Sequence, residues 1–162
     1  MNGIHRRRFL IGTGAVLGGT LTAGCLGDDE EPDPTGDPAP DHVDDFLAGH
    51  DTQLYDGTID DRTGQDAITI DNGEGDQGYA FSPPAVLIDA GTDVTWEWTG
   101  RGGSHNVVSV DESDFEFQND GDGELIATEG HTWSYTFEES GTAFYHCTAH
   151  AAMGQYGTIV VE

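Results

Sequence analysis

The chain has 162 residues, enough for one domain with a true core and appendages at its ends. Its charge is lopsided, with 31 Asp and Glu against five Arg and no Lys, a formal net charge of −26. Such a surface excludes nucleic-acid binding, because phosphate affinity comes from cationic contacts. It also repels itself unless concentrated salt screens it, so a halophilic source is expected.

Residues 1–24 have the order of an export signal. Arg6-Arg7-Arg8-Phe9-Leu10-Ile11 leads into an apolar, Gly-rich run through Leu21 that is too short for a comfortable spanning helix. Arg6 and Arg7 resemble the pair of a twin-arginine signal. Leu21-Thr22-Ala23-Gly24-Cys25 resembles a lipobox, which predicts that Cys25 becomes a lipidated N-terminus on the outer face of the cell membrane. Removal of the signal takes away three of the five Arg and none of the acids, leaving 2 − 31 = −29.

Residues 25–56 read as an acidic linker. Gly27 to about Pro40 is Asp, Glu, Pro and Gly with almost nothing to bury, as in a disordered tether. Asp41 to Tyr55 can form a short helix with Val43, Phe46 and Leu47 on one side; His42 and His50 read as solvated or capping residues. Residues 57–162 change to short β-like runs between Gly/Asp turns. These are Ala67–Ile70, Tyr79–Ile88 broken by Pro83-Pro84, Val94–Trp98, Asn106–Val110, His131–Phe137, Phe144–Cys147 and Gly157–Val161. The expected fold is all-β, an antiparallel Greek-key sandwich forming a single domain, with no internal repeat.

Chemistry concentrates near the C-terminus. Cys147-x-x-His150 can present a thiolate and an imidazole to one ion across a tight loop, and Met153 and Gln155 follow closely. His105, after the Gly102-Gly103 turn, can reach the same end of the sandwich. One Cys, two His and a weak fourth donor are the set of a blue-copper electron-transfer site, so one type 1 copper ion is expected. The single dull alternative for the thiols is a Cys25–Cys147 disulfide in an exported chain. His146 neighbours Cys147 on a strand and so faces away from it; it and His131 read as structural.

The run Val94-Thr95-Trp96-Glu97-Trp98-Thr99-Gly100-Arg101-Gly102-Gly103-Ser104-His105-Asn106-Val107-Val108 resembles the halocyanin domain, the haloarchaeal branch of the plastocyanin-like cupredoxins. Tyr145-x-Cys147-x-x-His150 and Gly157-x-Ile159-Val160-Val161 resemble that family's closing loop, and the similarity covers about Gln65 to Glu162. It implies a small electron carrier with His105, Cys147 and His150 as equatorial copper ligands, serving redox partner proteins of a membrane respiratory chain. The fourth ligand stays open. Loop length and the flanking glycines put Gln155 where the family has Met, while Met153 matches the shorter spacing of amicyanin-like members. Thr148-Ala149-His150 also lacks the rigidifying Pro of the family's loop. A copper enzyme would need more metal centres and more His than this inventory holds. A copper store, or a metal-free surface sandwich, is the alternative class.

Overall fold

A computed structural model describes residues 36–162. The expected signal segment 1–24, the lipidation site Cys25 and the first part of the linker lie outside the described residues.

Two sheets face each other. The first has six strands in the order β1 (Asp37–Pro38), β2 (Thr58–Asp61), β5 (Ala85–Ile88), β10 (Tyr156–Val161), β9 (Gly141–His146) and β7 (Val108–Ser109). The second has four, in the order β4 (Ala80–Ser82), β3 (Ala67–Glu74), β6 (Thr92–Trp98) and β8 (Thr132–Phe137). This is the expected all-β sandwich, with one correction to its pairing. The sheets are mixed, since β3 runs parallel to β6, and β5 runs parallel to both β2 and β10. Only β1–β2, β3–β4 and β9–β10 turn back within one sheet, and the other connections cross between sheets; at Ser82-Pro83-Pro84 the chain leaves the four-stranded sheet after β4 and enters the six-stranded one as β5. Strands reached by such crossovers can pair in parallel, which hairpins forbid.

Period-two patterning builds the core. β3 turns Ile68, Ile70 and Asn72 inward, β6 turns Val94, Trp96 and Trp98 inward, and β9 with its continuation turns Ala143, Tyr145 and Cys147 inward. Phe81, Phe117, Phe137 and Ile159 fill the space between them. Cys147 thus sits at the end of a row of core side chains, and Asn72 is a polar residue at an apolar position.

The expected short helix forms at Asp41–Gly49 (α1), and it belongs to the folded domain rather than to a tether. Val43 and Leu47 are fully buried against Ile59 and Ala85, and the Phe46 ring lies 4.2 Å from that of Phe144. A helix of nine residues is marginal alone in water, so packing on the sandwich holds it. β1 also pairs with β2. The folded unit therefore begins well before residue 57, because three apolar side chains on one helical face suffice to dock this segment.

Candidate metal centre

Cys147 ends the β9 row, and its amide donates to the Gln155 carbonyl at 3.1 Å, closing the loop that follows. The loop is internally bonded. His150 N–H reaches the Cys147 carbonyl at 3.1 Å, and both Met153 N–H (2.9 Å) and Gln155 N–H (3.2 Å) reach the His150 carbonyl. A 3₁₀ turn over Ala151–Met153 ends at Gly154, whose φ of 81° is left-handed. A Cβ at Gly154 would collide with the Asp51 carbonyl oxygen, so the loop rests backbone to backbone on the segment after α1. Gln53 completes that seat, its amide N–H bonding the Gly154 carbonyl at 2.9 Å and its side chain the Met153 carbonyl at 3.1 Å.

His105 comes from the opposite direction. Its backbone exchanges hydrogen bonds with Ile126, both 2.8 Å, and its carbonyl accepts from Trp98 Nε1 at 3.0 Å. The ring donates from Nε2 to the Arg101 carbonyl at 2.6 Å. That bond fixes the tautomer and leaves the Nδ1 lone pair pointing inward. Asn106 ties this segment to the Cys147 loop; its Nδ2 donates to the Gly123 carbonyl (2.7 Å) and Thr148 Oγ1 (2.9 Å), and its Oδ1 accepts from Thr148 N–H (2.8 Å).

The donor atoms converge. His105 Nδ1 lies 3.1 Å from His150 Nδ1 and 3.9 Å from Cys147 Sγ, and Cys147 Sγ lies 3.5 Å from His150 Nδ1. Gln155 Oε1 stands 2.9 Å from His105 Nδ1 and 3.1 Å from His150 Nδ1. Cys147, His105 and Gln155 are fully buried, and His150 is 9% exposed with Tyr79 stacked on its ring at 4.4 Å. Met153 is not brought to the cluster; its side chain is 43% exposed. His146 faces the other side and packs on Tyr156, and His131 packs edge-on against Trp98. His42 bonds Thr142 Oγ1, and His50 bonds the Phe46 carbonyl.

Electrostatics makes this cluster a cation site. Burial pushes the Cys147 thiol up, against the backbone amides of Asn106, Ala149 and His150 that favour its thiolate. Burial, and then the closeness of the His105 imidazole, pushes His150 down, which favours the neutral ring with a lone pair to give. Gln155 spends its amide donor on Asn72 Oδ1 at 2.8 Å and turns its oxygen to the imidazoles. Lone pairs from nitrogen, oxygen and sulfur therefore face one another in a dry pocket, an arrangement that a metal ion resolves. One soft thiolate, two imidazoles and an amide oxygen fit copper.

Comparison with known proteins agrees. Residues 67–162, more than half of the chain, match the family of copper binding proteins described as plastocyanin/azurin. The chain belongs to the plastocyanin/azurin family of copper-binding proteins. Halocyanin from Natronomonas pharaonis is 47% identical over 172 aligned residues that span all of both chains. Plastocyanin from Scenedesmus fuscus is 33% identical over 59% of this chain and 99% of its own. Among solved structures, an amicyanin variant in the Cu(I) state overlays with a TM-score of 0.48 and 31% identity, covering 60% of this chain and 83% of that one. This is a halocyanin-type cupredoxin, a blue copper electron carrier. Copper cycling between Cu(I) and Cu(II) supplies the one-electron chemistry. The protein's part is to hold donors in place, keep water out and leave one imidazole near the surface.

Four supports of this cupredoxin site escape a reading of motifs. Asn106 acts through bonds to Thr148 that exist only once the loops meet, and the Arg101 carbonyl is a backbone group that no side-chain motif displays. Asn72 left a signal, as a polar residue in phase with Ile68 and Ile70, and the seat at Asp51–Gln53 left none.

Proposed function

We propose that this chain is a monomeric electron carrier anchored by lipid at Cys25 on the outer face of the cell membrane, with no substrate chemistry of its own. It passes electrons between protein partners of a membrane respiratory chain. His105, Cys147 and His150 hold the copper and Gln155 serves as its weak fourth ligand, while Met153 belongs to the surface. The observation that carries the ligand reading is the meeting of four donor atoms, with the His105 and His150 Nδ1 atoms 2.9–3.9 Å from each other, from Cys147 Sγ and from Gln155 Oε1. A buried amide oxygen at this point makes a harder donor than a thioether and favours Cu(II), which lowers the reduction potential relative to a Met ligand.

Electrons enter and leave at the His150 edge, where Ala151, Ala152, Met153 and Tyr156 offer a small apolar docking face. The anchor reading rests on the order of twin Arg, apolar run and small-small-Cys in residues 6–25. Among the described residues no helix is long and apolar enough to cross a membrane.

A redox titration with visible spectra of the copper-loaded chain tests the site. Cys147→Ser is expected to abolish the intense charge-transfer colour. Gln155→Leu is expected to shift spectrum and potential, and Met153→Leu to leave both unchanged. The reverse pattern between these last two overturns the ligand reading. Mass spectrometry of membrane-extracted protein is expected to show a diacylglyceryl-modified Cys25, and an intact signal overturns the anchor.

A further inference from the structure

Asn72 is fully buried at the inward end of β3, where the alternation asks for an apolar residue. Its Oδ1 accepts from Gln155 Nε2, yet its own Nδ2 has no hydrogen-bond partner among the described residues. A buried amide donor left orphaned is costly, and native cores keep one only for a reason. The reason lies in the neighbouring cluster. Two primary amides placed face to face can bond in two ways. In the observed way Gln155 points oxygen at the imidazoles and Asn72 wastes its donor. With both amides rotated, Asn72 Nδ2 would donate to Gln155 Oε1, and Gln155 Nε2 would donate to the His105 Nδ1 lone pair. That second arrangement pairs both amide donors and the His105 lone pair when no cation is present, since His105 Nδ1 accepts and its Nε2 remains on Arg101. The first is the one that offers an oxygen to a metal.

We propose that Asn72 is a positioning residue which, with Gln155, forms a two-state amide pair. Metal in the pocket selects Gln155 oxygen-inward with its nitrogen on Asn72; loss of the metal turns both amides over and caps the His105 lone pair. The inference rests on Gln155 being the fourth ligand. Copper uptake then requires breaking the Gln155–His105 hydrogen bond, and release is followed by its closure, which covers the His105 lone pair.

The test uses the full-length chain, ¹⁵N-labelled, metal-free and Cu(I)-loaded, together with Asn72→Leu, Asn72→Asp and Gln155→Leu. In the metal-free wild type, a scalar coupling across the Gln155 Nε2–H···Nδ1 His105 hydrogen bond is expected, and it disappears on Cu(I) loading. Asn72→Leu removes the acceptor that holds the oxygen inward. Its copper form is expected to lose about tenfold in preference for Cu(II), a rise of about 59 mV for a one-electron couple, with the spectrum moving toward that of Gln155→Leu. Asn72→Asp keeps an acceptor and has no donor. It is expected to retain the wild-type spectrum when loaded and to lack the metal-free coupling. Absence of that coupling in the wild type overturns the proposal, as does a wild-type spectrum and potential in Asn72→Leu while Gln155→Leu is shifted. If Gln155→Leu itself is unshifted, the ligand reading underneath fails instead.

Discussion

Asn106 is the joint between the two halves of the copper pocket, and its removal has a calculable cost. The side chain is 3% exposed and makes three hydrogen bonds, to the Gly123 carbonyl, to Thr148 Oγ1 and from Thr148 N–H. At about 1 kcal/mol net for each, Asn106→Ala should destabilise the domain by about 3 kcal/mol. For a domain of this size about 4 °C of Tm follows each kcal/mol, a fall of about 12 °C. The change is best read by urea denaturation of the metal-free chain at fixed salt, with calorimetry beside it. Asn106→Asp, which keeps the acceptor for Thr148 N–H and loses both donor bonds, should fall between the wild type and Ala. No ligand is removed, so loaded Asn106→Ala should stay coloured while binding copper more weakly, because His105 is no longer tied to the loop of Cys147 and His150. A loss below about 0.5 kcal/mol, the range of an indifferent surface change, would refute the idea that this side chain joins the two segments.

Other perturbations probe separate parts of the molecule. Leu47→Ala, on the buried face of α1, should cost about 2–5 kcal/mol in the same denaturation assay; a negligible cost would mean that α1 is not part of the cooperative unit. Gly73 has φ 105°, and a Cβ there would lie 2.7 Å from Thr99 Oγ1, 2.9 Å from the Arg101 carbonyl and 3.3 Å from His105 Nε2. Gly73→Ala should therefore weaken copper binding as well as stability, and a titration showing wild-type affinity would count against the role of the Arg101 carbonyl. The Asp71 carboxyl is pushed up, first by burial and then by the charges of Glu74 and Glu97. Its raised folded value means that the stability it contributes is present at acid pH and is lost as pH rises through that value. Asp71→Asn should flatten the pH dependence of stability above the ordinary carboxylate range, most clearly at low salt; a curve parallel to the wild type's refutes this. Ala152→Glu should slow electron exchange with a partner protein and leave the visible spectrum unchanged, and equal rates would remove the docking face from consideration.

The residues themselves disclose a good deal. Strict alternation in Val94–Trp98 and in His131–Phe137 marks half-buried strands, because successive side chains point to opposite faces. Cys147 and His150 are close by spacing alone, and the apolar side of α1 is visible in Val43, Phe46 and Leu47. Its docking is not, since a helical face says what is buried and not against what. Parallel pairing of β3 with β6 is likewise invisible, because it depends on where the chain crosses between sheets.

Within the pocket the division is sharper. That a thiol and an imidazole three residues apart could share an ion is a local fact of the chain, as is the presence of an amide and a thioether just beyond. The sequence alone therefore determines which atoms are on offer. Tertiary structure decides which of them meet: it carries His105 across 42 positions to Cys147, and turns Met153 out through a 3₁₀ turn closed at Gly154. It also sets the Gln155 amide against Asn72, 83 positions away. Local spacing fixes distance along a loop, but only packing between sheets can aim lone pairs from distant segments at one point and exclude the water that would otherwise satisfy them.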